Sequence, residues 1–292
     1  MTMKKLNILL LTFIISLLVI SCSKLKDELP TPIEASVHPE GFSKVGNSDF
    51  HGKFIQQHAW NLKMCKQCHG TNYNGGTSSV SCLSCHNNPG GPEGCGTCHE
   101  IGKDLNGNTS TAERGVGAHT VHLLGNSKGK IVSCAECHNV PADIYQQGHM
   151  DTEANSEVMF NSYFANIKTN EPVTSDYDSQ LQLFSPNPTY NSVNLSCSNT
   201  YCHGYFKNGN LTNAPVWNNS SSNACGTCHG DPTKATLAEK SLPKTTANGG
   251  THVNVLTCSN CHGGVVNSNL QFVDASKHID GKLNVFGNDI DF

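Results

Sequence analysis

The longest apolar run in the chain is Ile8 to Ile20, broken only by Thr12 and Ser16. It falls short of the roughly 18 residues needed to cross a bilayer. Lys4 and Lys5 precede it and Ser21-Cys22 closes it. This pattern predicts an export signal over residues 1–21 rather than a membrane helix. Beyond it, hydrophobic periodicity is weak. Residues 22–49 carry Pro30, Pro32 and Pro39 with mixed charge, and read as a tether that includes His38. Val193, Leu195 and Cys197 alternate, with Tyr190 out of phase, which predicts a short strand. Residues 118–160 and 250–286 repeat one order of positions. His122 aligns with His252, Cys134 with Cys258 and His149 with His278 once Gly125–Lys130 is set aside as an inserted hairpin tip. The expected fold is mostly irregular, with short helices and a few short strands or hairpins.

The chemistry lies in a repeated pattern. Cys65-Lys66-Gln67-Cys68-His69, Cys82-Leu83-Ser84-Cys85-His86 and Cys95-Gly96-Thr97-Cys98-His99 are three copies of C-x-x-C-H within one stretch. Cys134-Ala135-Glu136-Cys137-His138, Cys225-Gly226-Thr227-Cys228-His229 and Cys258-Ser259-Asn260-Cys261-His262 are three more. Cys197 and Cys202 precede His203 with four residues between, a wider variant whose loop must bulge to serve the same purpose. C-x-x-C-H is the attachment pattern of c-type haem. The two thiols bind one edge of the macrocycle, and the following histidine lies beneath the iron as an axial ligand. Seven haem c groups are expected, and they would form the core.

Cysteine arithmetic supports this. The chain has 15 cysteines; seven pairs use all but Cys22, so none remains for a disulfide scaffold. Structural zinc also uses clustered Cys and His, but does not require a histidine after every pair. Cys22, at the end of the apolar run, resembles the cleavage position of a bacterial lipoprotein, where it would carry a lipid anchor. The net charge of -4 gives no basic footprint for nucleic acid.

Seven of the 15 histidines belong to the motifs. His51, His58, His119, His122, His149, His252 and His278 are the candidates for the opposite axial position, with His38 to spare. Behind the signal only Met64, Met150 and Met159 offer sulfur instead. Mostly bis-histidine, low-potential sites are therefore expected, suited to electron relay rather than substrate binding. The expected regions are a tetrahaem stretch over 50–160 and a trihaem stretch over 161–292.

The run Cys197-Ser198-Asn199-Thr200-Tyr201-Cys202-His203-Gly204, then Pro215-Val216-Trp217, then Cys225 to Gly230, resembles the C-x4-C-H…C-x-x-C-H unit of multihaem lipoprotein cytochromes of metal-reducing bacteria. The resemblance implies a non-enzymatic electron carrier of the outer membrane, on its periplasmic face or at the cell surface. Its partners would be redox proteins or an external acceptor. A multihaem oxyanion reductase with one open haem, and a subunit of a haem filament, are the alternatives.

Overall fold

The computed structural model describes residues 37–125, 128–150, 156–160, 164–169 and 184–291. The expected signal and Cys22 lie outside them. The chain divides into two compact units between Asn61 and Leu62.

The first unit holds helix α1, His51–Gln57. It stops where Ala59 and Trp60 adopt left-handed backbone (φ 53° and 57°), a conformation that ends a helix for any residue with a Cβ. Phe42 packs edge-on to Phe54, and Phe54 stacks on His58 four residues further on, at 4.0 Å between ring centres. His38 stacks on Phe42.

The second unit is a succession of single turns. Helices α2 (Lys66–His69), α3 (Cys95–Cys98), α4 (His119–Leu123), α5 (Leu237–Ser241) and α6 (Ser259–His262) are each one turn or little more. Strands β1 (Thr189–Asn191) and β2 (Ser196–Ser198) pair antiparallel with Tyr190 opposite Cys197. Strands β3 (Lys282–Val285) and β4 (Asn288–Asp291) form a second antiparallel pair. The strand expected over Val193, Leu195 and Cys197 is displaced: Val193 and Leu195 lie in the turn between β1 and β2, Leu195 at φ 59°, and β2 starts at Ser196 and carries the first cysteine of the wide motif. Gly125–Lys130 is not flanked by two strands: helix α4 leads into it, so its hairpin reading is corrected.

The expected boundary at 160/161 is crossed by hydrogen bonds. The Ala165 amide donates to the buried Glu136 carboxylate at 2.6 Å, and the Trp217 indole donates to the Arg114 carbonyl at 2.9 Å.

Side chains alone make a small core. Among the described residues the buried apolar ones are Leu62, Tyr73, Val116, Ala165, Ile167, Tyr201 and Val265. Val80, Leu83, Ile101, Leu124, Val140 and Val255, by contrast, are exposed, and each lies within a few residues of a motif or a candidate axial histidine. Apolar surface left open to water costs about 25 cal/mol per Å².

Candidate haem-binding sites

Five of the six C-x-x-C-H motifs are wound as one helical turn; in the sixth, Cys225–His229, Gly226 takes left-handed backbone at φ 89° and His229 bridges to Gly209 instead. The His86, His99, His138 and His262 amides donate to the carbonyls of Cys82, Cys95, Cys134 and Cys258 at 2.8–3.0 Å. One turn places both thiols and the histidine on neighbouring positions. The wide motif reaches the same end differently. Cys197 sits on β2, Asn199 takes left-handed backbone at φ 56°, and a tight turn over Tyr201–His203 carries the rest. Asn tolerates that conformation better than most residues, so it can absorb the two extra residues.

The fourteen motif cysteines are all free of disulfides. Burial pushes the Cys137 thiol up to about 12 and the Cys197 thiol up to about 11, so these sulfurs are neutral rather than reactive thiolates. Among the described residues no three His, Cys, Asp or Glu side chains converge as a metal cluster, whereas structural zinc needs four such ligands.

What does converge is pairs of imidazoles. Five motif histidines face a second histidine at nearly constant separation: His99 and His149 at 6.0 Å, His119 and His138 at 6.2 Å, His122 and His203 at 6.1 Å, His229 and His278 at 6.2 Å, His252 and His262 at 6.3 Å between ring centres. Two metal–imidazole bonds of about 2 Å, with each ring centre about 1 Å behind its nitrogen, span about 6 Å. The spacing is that of two imidazoles on opposite sides of one metal and too wide for a direct ring stack.

The orientation of the rings agrees. A carbonyl can only accept, so a ring bonded to one through Nδ1 carries its proton there and turns Nε2 outward. His119 donates to Val116, His122 to Ala118, His149 to Ile144 and His252 to Val253, at 2.7–3.1 Å. His278 donates to the Lys128 carbonyl. Among the motif histidines, His69 donates to Val80, His138 to Glu157 and His262 to Asn284, at 2.6–2.9 Å. In the first unit His51 and His58 donate to Phe42 and Phe54 at 2.9 and 2.7 Å. Backbone acceptors of this kind fix the tautomer and orientation of ligating histidines. Burial, and then the facing His122, pushes His203 down to about 4. Burial, and then His278, does the same to His229. His99 and His119 are lowered too, again mainly by burial. His99, His119, His203 and His229 are therefore favoured in the neutral form that binds metal.

Position in the sequence does not tell which histidine faces which. His122 aligns with His252, yet it is His119 that faces the motif histidine of its own repeat, His138, as His252 faces His262. His122, three residues on, faces His203 of the wide motif. The backbone acceptors carry no mark in the motifs, whereas Trp217, in the Pro215-Val216-Trp217 run of the family unit, packs against both His119 and His122 at 4.7 and 5.7 Å. The i, i+3 spacing of His119 and His122 sets them on one face of helix α4, where both meet the indole.

The family model described as Geobacter CxxxxCH...CXXCH motif matches residues 196–229. This is the unit on which the resemblance above rests, and the class it points to is a multihaem c-type cytochrome. No curated protein and no solved structure matches the chain.

Proposed function

We propose that the chain is a seven-haem c-type electron carrier with bis-histidine sites, exported, and held at the outer membrane by a lipid on Cys22. The observation that carries this reading is the set of five imidazole pairs at 6.0–6.3 Å. Bound haem supplies one-electron chemistry at low potential. Cys65/Cys68, Cys82/Cys85, Cys95/Cys98, Cys134/Cys137, Cys197/Cys202, Cys225/Cys228 and Cys258/Cys261 hold the cofactors covalently. His69, His86, His99, His138, His203, His229 and His262 ligate from one face. His149, His119, His122, His278 and His252 ligate from the other at the five assigned sites, and His51 and His58 are axial ligands as well. The chain's own work is to hold Nε2 atoms in place with backbone carbonyls, so that electron gain or loss requires little movement. Occupying both axial positions also keeps substrates off the metal, which argues for relay over catalysis.

The test is a pyridine-haemochrome count combined with intact mass on protein exported from a host competent in cytochrome maturation. Seven haems, a lipidated Cys22 and no carbon monoxide binding are expected. Colourless protein with free thiols, or a stoichiometric carbon monoxide complex, would overturn the reading.

A further inference from the structure

The five imidazole pairs divide into two groups. The ring planes of His252/His262, His119/His138 and His99/His149 are inclined by 16°, 32° and 33°. Those of His122/His203 and His229/His278 stand at 79° and 78°. The two upright pairs are the two sites of the 196–229 motif unit.

The same two sites differ in a second, independent way. The Nδ1 atoms of His203 and His229 are buried with no hydrogen-bond partner; the Ser241 backbone exerts only a weaker pull on His229, behind burial and His278. His138 and His262, by contrast, donate to Glu157 and Asn284. A buried polar atom left unpaired costs free energy, so its occurrence at both members of one motif unit calls for a reason.

We propose that the chain builds two electronic classes of axial site, and that the His122/His203 and His229/His278 sites are the high-potential pair on which electrons settle first. The proposal rests on the haem reading above. A ring that donates through Nδ1 to a carbonyl is a more basic ligand and steadies the more positive, oxidised metal. His203 and His229 lack that support. Their burial penalises the extra positive charge of the oxidised state further. Perpendicular rings spread their π-donation over both metal orbitals of matching symmetry instead of concentrating it in one, which leaves those orbitals nearly degenerate. All three effects favour the reduced state at the same two sites. Reduction of each takes one electron from a one-electron donor, with no bond made or broken.

Near-degenerate orbitals give an oxidised low-spin site with a large-gmax paramagnetic resonance signal, and near-parallel rings give a rhombic one. The experiment is low-temperature paramagnetic resonance of the haem-loaded protein during titration with dithionite. The large-gmax signal is expected to vanish before the rhombic signals. His122→Met and His278→Met should each remove one haem equivalent from the large-gmax signal, and His149→Met and His252→Met one each from the rhombic. A large-gmax signal that is absent, or that outlasts the rhombic ones, overturns the inference, as does loss of rhombic intensity in H122M or H278M. A haem count below seven, or carbon monoxide binding to the unmodified protein, would instead sink the ligation reading itself and this inference with it.

Discussion

Residues 95–160 and 225–286 follow the same course. Each opens on Cys-Gly-Thr-Cys-His, continues to a histidine that faces the next motif, and then passes through that motif. Each ends on a histidine that reaches back to the opening motif: His149 to His99, His278 to His229. The returning backbone is in the same register in both. Glu157 and Asn284 accept from the motif histidine, and two residues later the Met159 and Phe286 amides donate to the Cys137 and Cys261 carbonyls at 2.6 and 2.7 Å. The difference is one extra histidine and one loop. Only the first module carries a second histidine on helix α4, and with it reaches out to His203. Only the first carries Gly125–Lys130, whose Lys128 carbonyl orients His278 of the second module. The second histidine and the loop thus serve the neighbouring motif or module rather than the module that holds them.

The comparison breaks most sharply at the axial histidines. His149→Ala and His278→Ala should act alike, each leaving one five-coordinate, high-spin site at the opening motif of its module. His119→Ala should open the site of His138, and His122→Ala the site of His203, outside the module. One carbon monoxide per protein is expected in each variant, with the altered haem identified by its spectrum. If H122A opened the site of His138 instead, the two modules would be wired as their sequence alignment suggests.

The next effect crosses from one module to the other. Deleting residues 125–130 makes the first module resemble the second in length but removes the Lys128 carbonyl from His278. Gly129 also packs against Ile279, whose Cδ1 a Cβ at that position would approach to 3.1 Å. High-spin character should then appear at the His229 site of the second module, with the edited module's own His119/His138 site intact. Damage confined to the edited module would show that the loop is a local feature.

How far this was legible in the sequence differs by level. The attachment motifs could be read because they need residue types at fixed short spacing, which one tight turn of chain can hold. The weak secondary structure was legible for the same reason, since no period is sustained between motifs. Pairing of the axial histidines was not. A facing histidine comes from 10 to 81 residues away along the chain, at His252/His262 and His122/His203, and only the path of the chain selects it. Alignment of the repeats chose His122 over His119 because it counted the inserted loop as six residues, whereas the pairing follows helix α4. The loop's role was hidden as well, since a backbone carbonyl acceptor leaves no mark in the residue type.

A smaller effect is expected at Trp217, which belongs to neither module. Gly117 has left-handed backbone at φ 39°, and a Cβ there would meet Trp217 Nε1 at 1.9 Å. Gly117→Ala must push the indole away from Arg114, His119 and His122. A loss of about 1–3 kcal/mol is expected for such overpacking. It should read out as a lower melting temperature and altered resonance signals at the His138 and His203 sites, with the His262 site unmoved.

The smallest prediction concerns what precedes each opening motif. Glu93 stands two residues before Cys95, where the second module has the uncharged Asn223 before Cys225. The Glu93 carboxylate accepts from Tyr73 and Tyr145 at 2.7 Å each and pairs with Lys66 at 2.7 Å. Burial alone would raise this carboxyl, but Lys66, Tyr145 and Tyr73 together hold it below its usual value. A carboxyl lowered on folding stabilises the folded state above its unfolded pKa, and that stability is lost as pH falls through the folded value. The cluster joins the first motif, through Lys66, to the third, so acid should loosen the packing between these two motifs. Glu93→Gln keeps the shape, removes the charge and should cost about 0.5–1.5 kcal/mol at neutral pH. The cost should shrink toward zero as the native carboxyl protonates, which melting curves from neutral pH down to about 3 would follow. An E93Q penalty that stays constant over that range would mean that the loss comes from the amide's altered hydrogen bonding to Tyr73 and Tyr145 and not from the missing charge.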